Sequence, residues 1–173
     1  MFETGTELAE LQQILDASFE RAGERMLVAY GADQRLSAKQ LAGFRGVRLV
    51  AVSSVNAKGE PRVAPRSAAF LHGKFYLAAN TKSMTVRRLR RNPTVAITYY
   101  ENHLLVMGHG EVVFLPKGEA GFSSVVPEWE KAFDGGRDAV EGVDVFLRVD
   151  ATHLVAFAQR PDRYPGAWGR PAL

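Results

Sequence analysis

The run Asn80-Thr81-Lys82-Ser83-Met84-Thr85-Val86-Arg87-Arg88-Leu89-Arg90-Arg91-Asn92-Pro93 changes character twice in a short span. Before it, Phe75-Tyr76-Leu77-Ala78-Ala79 is an apolar run of the kind that forms a buried strand. Asn80 to Ser83 are small or polar, and a basic segment of helical character follows until Pro93 stops it. A second strand-like run begins at Thr94. A strand that enters a helix through Thr, Lys and Ser gathers hydroxyls, an ammonium and free backbone N–H groups, the groups that hold a phosphate. The competing reading is a surface helix whose arginines are merely solvated.

Upstream, Leu8, Leu11, Leu15, Phe19, Ala22 and Met26 step by three or four and predict an amphipathic helix over residues 6–28. Thr4 and Glu7 have the spacing of a capping box, and Ser37 is a good N-cap for a second short helix running to Arg45-Gly46. From Val47 the period becomes two. Val47 to Val55 is apolar on both faces and reads as a central strand, Asn56-Ala57-Lys58-Gly59 as a hairpin turn, and Arg62 to Leu71 as the return strand. Pro65 inside that strand implies an edge or a bulge.

Downstream, residues 94–100 and 104–115 predict two more strands. Gly108-His109-Gly110 at the centre of the second marks a bulge or a close approach. Residues 116–142 are irregular, with a helix expected from Pro127 to Phe133 and Gly135-Gly136 breaking it. Val143 to Val149 and Thr152 to Gln159 read as two strands folding back across Asp150-Ala151. The connections are too short for parallel crossovers. The expected fold is therefore mainly β with α+β character: a six-stranded antiparallel closed or split β-barrel, with N-terminal helices over 1–46, a short helix after strand 3, and a barrel domain over 47–173.

At 173 residues the chain is long enough to bury a proper core. Forty-six per cent apolar and 24% charged residues are ordinary for a soluble globular protein. No apolar run is long enough for a membrane helix, and the N-terminus lacks the features of a signal peptide, so no membrane association and a cytoplasmic location are expected. The absence of cysteine excludes disulfides, thiol nucleophiles and Cys-ligated zinc. A net charge of +3, with its densest patch at Arg87 to Arg91 and no interleaved aromatics, argues against nucleic acid as a partner.

Four pieces in order then resemble the flavin-binding split-barrel superfamily of pyridoxamine 5'-phosphate oxidases and deazaflavin-dependent reductases. They are the strand–turn–strand around Asn56-Ala57-Lys58-Gly59, Gly73-Lys74-Phe75-Tyr76-Leu77 running into Asn80-Thr81-Lys82-Ser83, Leu89-Arg90-Arg91-Asn92-Pro93, and the Gly108-His109-Gly110 strand. The resemblance covers about Val47 to Trp168. It implies an oxidoreductase that transfers a hydride to or from a small conjugated molecule. FMN or a 5-deazaflavin coenzyme would be the cofactor, and the protein a homodimer with cofactor sites at the interface. Ser83 falls on the family's serine and Arg66 near an arginine of the preceding strand. The implied cofactor-binding set is Arg66, Ser67, Asn80, Thr81, Lys82, Ser83, Thr85 and Arg88. Trp168 and Arg170 fall near a C-terminal Trp-x-x-x-Arg region that approaches substrate, with shorter spacing here. Met84 and Thr85 stand where the oxidases carry an Arg-Lys pair, so a true pyridoxamine phosphate oxidase is not expected.

Arg66 also stands out without the resemblance, because an unpaired buried cation on an apolar strand needs an anion. No acid–base pair marks catalytic residues, as expected where the cofactor does the chemistry. His109 is a candidate ligand if the chain belongs to a haem-binding or haem-degrading branch, although a lone strand His is more often structural. His72, His103 and His153 are too scattered for a metal cluster. A non-catalytic flavin or tetrapyrrole binder is the remaining alternative.

Overall fold

The computed structural model describes residues 2–101, 103–133 and 140–164. Six strands form a closed antiparallel barrel in the order β1-β2-β3-β6-β5-β4. They are β1 (Arg48–Val55), β2 (Pro61–Leu71), β3 (Lys74–Ala79), β4 (Thr94–Glu101), β5 (Leu104–Pro116) and β6 (Val145–Ala158). The expected barrel is therefore present. Among the described residues no helix is long and apolar enough to cross a membrane.

The expected helix over residues 6–28 is two helices, α1 (Gly5–Glu20) and α2 (Glu24–Ala29). They part at Arg21 to Gly23, where Gly23 takes an extended N-cap conformation that ends the first helix's register. The Thr4–Glu7 capping box is formed, and Leu11, Leu15 and Phe19 face the barrel. Ser18, fully buried, ties α1 to β6 by accepting a 2.9 Å hydrogen bond from the Leu154 amide. The helix at Ser37 is the short α3 (Ala38–Leu41), with its own capping box.

The helix expected to start at Pro127 instead begins seven residues earlier, as α5 (Ala120–Ala132), with Pro127 inside it. Its period explains the difference: Phe122, Val125 and Trp129 share one face and pack on Leu71, Tyr76 and Phe146. Trp129 alone, fully buried, removes roughly 200 Å² from water, worth about 5 kcal/mol. That outweighs one missing backbone donor.

A second correction concerns the last strands. Asp150-Ala151 is not a hairpin; β6 runs through it as one strand pairing with β3 and β5. Asp150 sits in the strand because Lys74 Nζ (3.0 Å) and Arg148 (2.8 and 2.9 Å) neutralise it. The register changes between His109 and Gly110, leaving Thr152 as the extra residue of a β-bulge. The glycine pair thus marks the irregularity, while the added residue lies on the opposite strand.

Pro65 sits in the half of β2 that pairs with β1 only, since pairing with β3 starts at Ala68. Its missing N–H interrupts no ladder with β3, which is the edge character the proline implies. α4 (Met84–Leu89) caps this end of the barrel, with Val86 and Leu89 fully buried in the main core.

The β2–β3 turn is held from two sides. His72, at a left-handed φ of +52°, places Nε2 2.8 Å from Glu128 of α5, and Nδ1 3.1 Å from Glu7 of α1 in a less well aligned contact. Burial alone would lower the imidazole's pKa, but pairing with the two carboxylates outweighs it and raises it above its usual 6.5. With the folded pKa above the unfolded one, this contribution is fully present below about pH 6.5 and lost as pH rises through the folded value. The unfolding midpoint of the native protein should therefore fall more between about pH 6 and 8 than that of His72→Asn, by the equivalent of roughly 0.5 kcal/mol for partly exposed pairs. Asn also tolerates the left-handed backbone. Parallel thermal melts at the two pH values would show it, and identical slopes would remove the latch.

Candidate functional site

The strands and α4 bring two guanidiniums onto one hydroxyl. Val50 and Val52 place the inner face of β1 in the core, and Ser54 follows them on that face, 5% exposed. Opposite, the β1–β2 register aligns Arg66 with Val50, so its side chain turns to the same interior rather than to solvent. α4 then presents Thr85, 2% exposed, and Arg88 one turn on. Arg66 Nη2 donates to Thr85 Oγ1 at 2.6 Å, and Arg88 Nη2 donates to the same oxygen at 3.3 Å. Arg88 Nε reaches Ser54 Oγ at 3.3 Å.

What is missing is negative charge. Among the described residues, no carboxylate pairs with Arg66 or Arg88. Arg66 Nε is buried with no hydrogen-bond partner. Two half-buried cations around a neutral hydroxyl repel each other and lose hydration, a costly arrangement without an anion. The donor set, guanidinium forks beside two hydroxyls, suits a phosphate.

The other predicted positions fall elsewhere. The Thr81 amide and hydroxyl are already occupied by Asp144, at 2.6 and 2.8 Å. Asn80 turns the chain, its Oδ1 accepting from the Lys82 amide at 2.9 Å and its Nδ2 donating to the Gly142 carbonyl at 3.4 Å. Ser83 caps α4 by accepting from the Val86 amide at 3.3 Å. Lys82 is exposed, and Ser67, next to Arg66, faces outward, exposed opposite Leu49. Arg66, Thr85 and Arg88 are therefore the predicted residues that meet. Trp168 and Arg170 lie outside the described residues.

Sequence reasoning missed two residues. Ser54 could have been found: it is a serine on the apolar inward period of β1. Asp144, far away in sequence, carried no local signal for its role beside Thr81.

His109 lies exposed on the outer barrel surface, its ring stacked on His153 at 5.4 Å between centroids. Burial first, then the charges of His109 and Arg21, push the His153 imidazole below its usual value. Tyr99 and Tyr100 point to opposite faces, as strand alternation requires, with Tyr99 buried and hydrogen-bonded to Glu101. Among the described residues no group of three or more His, Asp or Glu is placed to hold a metal ion.

The sequence of the family described as pyridoxamine 5'-phosphate oxidase matches residues 36–152, from the segment before α3 into β6. No curated protein matches the chain. Solved structures share its fold: a conserved hypothetical protein of Mycobacterium tuberculosis, Rv2991, superposes with a TM-score of 0.64 at 21% identity, over 79% of this chain and 93% of its own. A protein described as an F420 reductase reaches 0.52 at 18% identity, over 66% and 94% of the two chains. HupZ of Group A Streptococcus gives 0.52 at 18% identity, over 70% and 91%. At such identities the likeness is one of fold.

Proposed function

Because the chain belongs to the pyridoxamine 5'-phosphate oxidase family, we propose that it is a flavin- or deazaflavin-dependent oxidoreductase whose cofactor phosphate is held by Arg66, Arg88, Thr85 and Ser54. The observation that carries this reading is the buried, partnerless Nε of Arg66 beside a second guanidinium, with no carboxylate among the described residues paired to either. A phosphate accepting from both forks turns that cost into charge-assisted hydrogen bonds. Bound FMN or deazaflavin coenzyme supplies hydride transfer with a small conjugated molecule. The chain's own residues do the positioning: Thr85 holds the two guanidiniums together, and Val86 and Leu89 keep water from the barrel end beneath them. Exposed Met84 offers no donor where a basic residue would grip the oxidases' phosphate, so the reaction differs from pyridoxamine phosphate oxidation.

The homodimer belongs to the same proposal. Leu49, Val63 and Tyr100, each about two-thirds exposed, lie on the outer surface of β1, β2 and β4, left largely uncovered by the described residues. Isolated apolar residues are common on surfaces, but three on neighbouring strands form a face suited to a second copy. That face carries Ser67 beside Arg66, so a partner across it would lie next to the anion site. Leu49→Asp combined with Val63→Asp should halve the mass seen by light scattering; a native protein that already runs as a monomer would end the dimer reading.

Fluorescence titration with FMN and with the deazaflavin coenzyme tests the cofactor reading. Binding tighter than roughly 100 μM, about −5.5 kcal/mol, is expected for at least one. Failure of both would overturn the proposal, and a Soret band on the purified protein that is lost on His109→Ala would replace it with haem binding.

A further inference from the structure

Beside the arginine cluster lies a cavity that shares Arg88 with it. It opens between the β1–β2 hairpin and α4, has a volume of about 690 Å³, and is bordered by Val55, Lys58, Arg62, Met84, Arg88 and Arg91. That is the size of a small-molecule site.

Its rim is built rather than loose. The Asn56 side-chain oxygen accepts from the amides of Lys58 and Glu60, at 2.9 and 3.0 Å, and Gly59 supplies the left-handed turn at φ +78°. Glu60 is engaged by Asn56 Nδ2 at 2.8 Å and by Arg62 at 2.7 Å. Arg62 is thereby neutralised. Lys58, Arg88 and Arg91 are not: among the described residues no carboxylate pairs with any of them. The lining also has apolar members. Met84, a large flexible hydrophobe, is 60% exposed there, with its sulfur 3.9 Å from Arg87 Nη1. Val55, at the end of β1, lines the cavity too.

Cations and apolar side chains in one lining select a molecule that carries both an acid and an apolar body. We propose that this groove binds a small organic anion of that kind, its carboxylate or phosphate on Lys58 and Arg91 and its apolar part on Met84 and Val55. The site goes beyond the cofactor reading, and Arg88 is the residue the two share. An organic anion here would lie one side chain away from whatever occupies the arginine cluster.

The probes are 2-naphthoate and its neutral counterpart 2-naphthamide, titrated calorimetrically into the full chain at low salt. Naphthoate is expected to bind saturably and at least about tenfold tighter than the amide, an advantage that shrinks as salt screens the partly exposed cations. Lys58→Ala with Arg91→Ala, both at exposed positions, should remove most of that tenfold preference, while Met84→Asp should weaken both probes. FMN affinity, measured on the same double variant, should stay within about twofold, so a failure here is told apart from a failure of the cofactor reading. Equal affinity for the two probes, no saturable binding of naphthoate, or a preference untouched by the double variant would each overturn the proposal.

Discussion

Arg66→Ala weakens FMN binding by about tenfold to a hundredfold and leaves riboflavin binding nearly unchanged. The magnitude follows from a hydrogen bond to a charged group, worth roughly 1.5–3 kcal/mol. Arg66 brings one donor committed to Thr85 and one buried Nε that has nothing to bond to until an anion arrives. Removing the side chain takes away both, while riboflavin, lacking the phosphate, never used them. The substitution should not destabilise the fold. It deletes an uncompensated half-buried cation, so the unfolding midpoint holds or rises, as happens at sites built for ligands rather than for stability. Lys82→Ala is the contrasting case. Lys82 belongs to the polar run expected to hold the phosphate, but its side chain is exposed and the neighbouring Thr81 donors are taken by Asp144. Its loss should cost FMN less than about threefold, the size of a screened surface charge. Equal losses for Arg66→Ala and Lys82→Ala would return the phosphate to residues 81–83.

Gly110→Ala is the largest expected effect on stability. A β-carbon at this position would stand 2.1 Å from the Asp150 carbonyl oxygen and 2.8 Å from the Ala151 Cα. Both are backbone atoms of β6, so no rotamer change relieves the clash. Strands β5 and β6 would have to separate at the bulge and surrender hydrogen bonds in the longest ladder of the barrel. A loss of about 3 kcal/mol or more is expected, which for a chain of this size lowers the unfolding midpoint by roughly 10 °C. Gly5→Ala, with nothing within 4 Å of the added carbon, should leave the midpoint unchanged. Thermal melts of the two variants decide the point.

The strands were legible because alternation and turn residues are local signals. β1 to β5 follow runs of apolar residues bounded by Asn-Ala-Lys-Gly, His-Gly and Asn-Pro, and the glycine pair at 108–110 announced the irregularity between β5 and β6. Illegible features depended on distant partners. Asp150 looked like a turn residue until Lys74 and Arg148 were seen to neutralise it. Pro127 looked like a helix start, and only the packing of Phe122, Val125 and Trp129 on Leu71, Tyr76 and Phe146 explains why Phe122, five residues earlier, is already helical.

The site divides the same way. Arg66 was conspicuous as a cation on an apolar strand, and Arg88 as part of a basic run. That they converge on Thr85, while Thr81 turns to Asp144, follows from how α4 seats on the open end of β2. Ser54 escaped because the strand read as apolar on both faces and a serine in it carried no signal of its own, although the period of Val50 and Val52 puts it inside beside Arg88.

The central claim, that the Arg66–Thr85–Arg88 cluster is a phosphate site, is tested most directly by the ratio of dissociation constants for riboflavin and FMN on the native protein. The account predicts FMN tighter by about thirtyfold or more, the worth of at least one charge-assisted hydrogen bond. Equal affinities for the two would contradict it.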